Sequence, residues 1–151
     1  MDAYGDIDEL ACILGVARFH VQPPELKNDL LYIQRALSTV AAELATTKRK
    51  LNKLPQRLDE HMLAVLDDKR QKLEAKTSIP RGFVVSGDFL PAAYLDFART
   101  VARRCERKAV QLLKDKHMQN KILIVWLNRL SDYLYLMARF IEGKPTMVKE
   151  K

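Results

Sequence analysis

Apolar residues return every three or four positions through most of the chain, the spacing of one face of an α-helix. Ile7, Leu10, Leu14 and Ala17 predict a first helix from about Tyr4 to His20. "VQPPEL" ends it and starts a second, with Pro24 at a first-turn position, where a missing N–H costs nothing. Leu26, Leu30, Ile33, Leu37, Val40 and Leu44 form its stripe, down to the polar "TTKRK". Pro55 is expected to open a third helix, with Leu58, Met62, Val65, Leu66 and Leu73 inward, fading near Thr77. "TSIPRGFVVSGDFLP" is the one long break and is expected to cross an end or a side of the fold as a loop. Pro91 starts a fourth helix, with Leu95, Ala98, Ala102, Cys105, Ala109 and Leu112 on one side. "KDKHMQN" interrupts it, and a fifth helix runs from Lys121 to Glu142, stopped by Gly143 and Pro145 in the order helices favour. The tail "TMVKEK" is expected to be loose. The pattern predicts an all-α, up-down five-helix bundle of ferritin-like size, one domain over residues 1–151.

Composition supports that architecture. Five glycines and six prolines in 151 residues leave few places to turn, and this length buries a core without disulfide or metal staples. A net charge of +7 permits an anionic partner, whether a nucleotide, a nucleic acid or an acidic surface. Cys12 and Cys105 fall on helical faces without CxxC spacing and are expected to be reduced core thiols of a cytoplasmic protein. Two cysteines and three scattered histidines make no structural zinc pattern, and no metal ligands are predicted. No apolar run approaches the roughly 20 residues of a membrane span, and no signal peptide is visible.

Four stretches interrupt the apolar pattern with chemistry. "ARTVARRCERKAV" puts Arg99, Arg103 and Arg107 on one helical face, with Glu106 beside it and Arg104 and Lys108 in a second row. That is either a solvated face laced with ion pairs, each worth about 0.3 kcal/mol, or a phosphate clamp, because guanidinium binds phosphate bidentately. "LNRLSDYLYLMARF" places Asn128, Arg129 and Asp132 among leucines; Asn128 either bonds a neighbouring helix or lines a site. In "YGDIDEL", Asp6, Asp8 and Glu9 either complement a helix N-terminus or face an arginine of another helix or subunit. In "GFVVSG", Phe83 is flanked by glycines and either caps the core or wedges against a flat ligand. No P-loop, GxGxxG or Ser/His/Asp set accompanies them. An enzyme built from this chain must therefore position reactants and steady charge while another molecule supplies the reacting atom.

Taken together, "YGDIDEL", "FVVSGD", "ARTVARRCER" and "LNRLSDYLYLMAR" resemble the motifs "YGTxDEL", "FxxPGG", "ARTxxRRAER" and "LNRLSDxLFxxAR" of the PduO-type corrinoid adenosyltransferases, the cob(I)alamin ATP adenosyltransferase family. They span Tyr4 to Arg139, and the last two are long and specific. The resemblance implies a five-helix bundle assembling as a homotrimer, with active sites between subunits that take ATP, magnesium and cob(I)alamin. Cobalt would attack the 5′-carbon of the ribose and expel triphosphate, giving adenosylcobalamin. Arg103, Glu106, Arg107 and Asn128 match ATP contacts. Arg99 matches the arginine that pairs across the subunit interface with the aspartate at Asp8. Phe83 matches the phenylalanine that occupies the lower face of the corrin ring and displaces its base, easing reduction. Arg103 and Phe83 are thus the expected catalytic residues. A cobalamin reductase and an adenosylcobalamin-dependent enzyme are implied partners.

Three departures qualify the match. The family's N-terminal "TRTGDxG"-like segment, which wraps the ATP phosphates, does not precede "YGDIDEL" here. Either the protein begins upstream of Met1 or it has lost the segment, and loss predicts weaker ATP affinity and turnover. "PGG" is replaced by Ser86, Gly87 and Asp88, and Ala11 stands where the family has asparagine. The alternative function is a non-catalytic paralogue that binds a corrinoid or a nucleotide. A basic helical RNA-binding protein has only net charge in its favour.

Overall fold

The computed structural model describes residues 2–150. Among them are five long helices: α1 (Asp2–His20), α2 (Pro24–Ala45), α3 (Glu60–Ala75), α4 (Leu90–Lys114) and α5 (Lys121–Glu142). A 3-10 turn (Lys48–Lys53) and two short strands, β1 (Val84–Val85) and β2 (Thr146–Met147), complete the described elements. The architecture is the up-down all-α bundle that the periodicity predicts. α4 packs on α1 and α5, α1 on α2, and α3 on α5. The buried stripe of α4 is mostly small, with Ala92, Ala98, Ala102 and Ala109 beside Leu95, Val101 and Cys105. Small residues let two neighbouring helices approach one helix closely. Trp126, Leu127, Leu130, Tyr133 and Leu134 of α5 fill the centre, each large side chain contributing about 1.5–3 kcal/mol by leaving water.

Three expectations are corrected. α3 begins at Glu60, not at Pro55, because Asp59 caps it: Asp59 Oδ1 accepts the Met62 N–H at 2.9 Å. The preceding Leu58 is still buried, but as extended chain tied to the buried Glu43, whose Oε1 accepts the Leu58 N–H at 3.0 Å. Asn120, the cap of α5, donates to Glu43 Oε2 and to the Leu58 carbonyl, both at 2.8 Å. One carboxylate thereby joins α2, the entry to α3 and the start of α5. Second, the tail is not loose at its start: Thr146 and Met147 pair antiparallel with Val85 and Val84. Gly143, at φ 77°, stops α5 and turns the chain back toward the long loop. Third, Cys12 is exposed and only Cys105 lies in the core; both are free thiols.

Two ends of the bundle follow from this order. The 3-10 turn, the start of α3 and the α4–α5 turn share one end. The 76–89 loop, the start of α4 and the C-terminal strand share the other.

Candidate functional site

The two basic rows of α4 have opposite surroundings. Arg104 and Lys108 turn toward α1: Arg104 pairs with Glu9 and, at 3.3 Å, with Asp6, and Lys108 pairs with Asp6. The acids at the start of α1 therefore face cations of another helix, and Asp6 and Glu9 do so rather than Asp8, which stays exposed. About 100° around the helix, Arg99, Arg103 and Arg107 make no ion pair with α1 among the described residues. Arg99 Nε lies 3.5 Å from Asp96 Oδ1, within ion-pair reach but out of hydrogen-bond alignment. Among the described residues Arg103 and Arg107 have no carboxylate partner, and both are exposed.

The open row borders a groove between α4 and α5. Arg99 and Arg103 line a hollow of about 300 Å³ with Arg70, Glu74, Ser131 and Asp132. Next to it Asn128 Nδ2 donates to Glu106 Oε1 at 3.1 Å, which joins two of the predicted site residues across the helix pair. Asn128 Oδ1 accepts from Arg129 at 3.0 Å, and Arg129 Nε pairs with Asp67 of α3 at 3.2 Å rather than with its neighbour Asp132. Glu106 and Asn128 thus hold each other's orientation while Arg103 and Arg107 stay available. Larger hollows of about 610 and 770 Å³ lie elsewhere, the first beside Arg57, His61 and His117, the second beside Glu25, Lys72 and Phe140. Neither contains the open arginine row, and an unpaired cation is a better mark of an anion site than volume.

Phe83 is 85% exposed. It does not cap the core; its loop displays it. Behind that loop lies a buried ionic cluster that the sequence reading did not single out. Arg139 donates to Asp96 Oδ2 at 2.6 Å and its Nε sits 2.5 Å from Glu142 Oε1. Asp96 and Arg139 are only 4% and 5% exposed. Burial alone would lower the Arg139 pKa, but the Asp96 bond and the flanking carboxylates raise it, so the guanidinium stays charged. Burial pushes the Glu142 carboxyl up, and Arg139 partly offsets that. The signal available in sequence was slight: an acid between Leu95 and Phe97 and a base between Ala138 and Phe140, 43 residues apart on two different helices.

Of the residues singled out from sequence, Arg99 and Arg103 line the α4–α5 hollow, Glu106 and Asn128 bond each other beside it, and Arg107 follows one turn further along the exposed face of α4. Phe83 stands apart at the loop end. Asp8 lies on the outer face of α1, and within the chain Arg99 has Asp96, not Asp8, beside it. Among the described residues no three His, Cys, Asp or Glu side chains gather as a metal site, and no helix is long and apolar enough to cross a membrane.

The family model described as cobalamin adenosyltransferase matches residues 1–141. A corrinoid adenosyltransferase of Citrobacter freundii is 34% identical over 145 residues, covering 96% of this chain and 82% of the relative. Another from Bacillus subtilis is 33% identical, covering 95% and 75%. A solved variant of the PduO-type ATP:corrinoid adenosyltransferase from Lactobacillus reuteri, complexed with cobalamin and ATP, superposes with a TM-score of 0.86 at 27% identity, covering 98% of this chain and 84% of that one.

Proposed function

The chain belongs to the cobalamin adenosyltransferase family, and from that premise we propose that it transfers the 5′-deoxyadenosyl group of ATP to the cobalt of cob(I)alamin, releasing triphosphate. The observation that carries this reading is the open row of α4: Arg103 and Arg107, without a carboxylate partner among the described residues, stand beside the Asn128–Glu106 bond at the α4–α5 groove. In the reaction the cobalt electron pair forms the Co–C bond, and the C–O pair departs with the triphosphate. The reaction needs no nucleophile from the protein, because the cobalt supplies it. Its task is to hold ATP and to stabilise charge as it gathers on the leaving group.

Arg103 and Arg107 bind phosphate oxygens, which guanidinium groups engage two at a time. Glu106 and Asn128, each fixed by the other, orient the nucleoside end. Phe83, displayed on its loop, meets the corrinoid's lower face and excludes the base. Magnesium accompanies the triphosphate. That ion is usually held by one or two carboxylates together with substrate phosphates. Arg99 and Asp8, unpaired with each other inside one chain, pair between subunits of a homotrimer and close the site. The whole chain acts as one domain in the cytoplasm, fed by a cobalamin reductase and delivering to an adenosylcobalamin-dependent enzyme.

The test is an anaerobic assay of this chain with ATP, magnesium and chemically generated cob(I)alamin. Spectral conversion to light-sensitive adenosylcobalamin with matching triphosphate release is expected. Tight binding of both substrates without conversion would instead identify a non-catalytic corrinoid-binding member.

A further inference from the structure

The loop that displays Phe83 is tied down on both sides. Ser86 Oγ donates to Asp96 Oδ2 at 3.0 Å. Asp88 Oδ2 accepts the Thr146 N–H of the C-terminal strand at 2.8 Å. The Phe83 carbonyl itself accepts the Val148 N–H at 2.9 Å. Asp96 is a firm anchor, because the buried Arg139 holds the same oxygen at 2.6 Å. Between the two side-chain ties sits Gly87 at φ 126°, a conformation other residues rarely adopt.

Ser86 and Asp88 occupy the first and third positions of the "PGG" wording that the family pattern carries, and they are the two positions at which this loop departs from it. A proline would stiffen the loop by fixing its own φ. Here that restraint is absent, and the two replacements are the side chains that make the ties. We propose that Ser86 and Asp88 are positioning residues that hold Phe83 at the corrinoid site by tethering its loop to α4 and to the C-terminal strand. The inference rests on the corrinoid role of Phe83 proposed above. It adds a function for the C-terminal strand, which serves as the loop's outer clasp.

The ties are exposed or half-buried, so the Ser86→Ala/Asp88→Ala double variant should fold, with its melting temperature within about 3 °C of the parent chain. Amide exchange across residues 82–88, measured without ligands, should accelerate about tenfold as the two bonds are lost. The KM for the corrinoid should rise about fivefold or more while the KM for ATP stays put. Ser86→Thr, which keeps the hydroxyl, should restore the parent corrinoid KM in the single-site series. In a Phe83→Ala background the same double substitution should change the corrinoid KM less than about twofold, because the tethers then position nothing.

Unchanged exchange in the double variant would overturn the proposal. So would a corrinoid defect of equal size with and without Phe83, because the ties would then serve some other group. A Phe83→Ala chain as active as the parent on both cob(I)alamin and cob(II)alamin would overturn the underlying reading of Phe83, and that failure is read on a separate protein.

Discussion

The two rows of cations on α4 are neighbours in sequence and opposites in use. Arg104 and Lys108 meet the carboxylates of α1, and their charge is spent inside the fold. Arg103 and Arg107 sit one residue away and meet none among the described residues. The composition, the helix and the charge are the same; only the facing element differs. A basic helix is therefore not informative until its neighbours are known. Once they are known, the unpaired row is the part that can bind a polyanion, and the paired row is the part that fastens α4 to α1.

The sharpest way to break this comparison is to empty one row at a time. Arg103→Ala should lower kcat/KM for ATP by about a hundredfold or more, the usual scale for removing a charge-stabilising donor from a reaction centre, without shifting the melting temperature. Steady-state kinetics at saturating cob(I)alamin measure this. Phe83→Ala should act on the other substrate, lowering turnover from cob(II)alamin under reducing conditions by about tenfold, as loss of an aromatic anchor does. It should spare turnover of cob(I)alamin reduced beforehand; equal losses on both would remove the base-displacing role.

Emptying the closed row should do less, and to a different property. Arg104→Ala is expected to cost about 0.5–1 kcal/mol of stability, because its side chain is 39% exposed and water screens the pair. Thermal unfolding should show this as a small downward shift that shrinks further in high salt, with ATP kinetics unchanged. The smallest effect concerns the thiols. Cys105 lies beneath the closed row, and burial, with Asp6 nearby, pushes its pKa up to about 12. At pH 8 it stays protonated as well as shielded. Alkylation of the native chain should therefore modify one thiol, Cys12, and denaturation should expose the second.

Much of this was legible in the sequence, for reasons that differ by element. α2 and α5 declare themselves because their stripes are long and their ends carry Pro24 and Gly143. α3 starts later than expected because Pro55 is a good first-turn residue, but the Asp59 cap lies four residues inside the expected boundary and wins. The tail could not be read, since Thr146 and Met147 form a strand only by pairing with Val85 and Val84, some 60 residues earlier. The open row was legible as a face, since Arg99, Arg103 and Arg107 follow helical spacing. Its openness was not, because that depends on Asp6 and Glu9 choosing Arg104. The Asp96–Arg139 pair escaped for the same reason: two buried charges on different helices satisfy each other only in three dimensions.

The most direct test of the central claim is calorimetric titration of magnesium-ATP into Arg103→Ala and Arg104→Ala side by side with the parent chain. Arg103→Ala is expected to weaken ATP binding by about tenfold or more, the worth of a charge-assisted phosphate contact, while Arg104→Ala binds as the parent does. Equal affinities for all three, or a loss confined to Arg104→Ala, would contradict it and move the nucleotide off the open row.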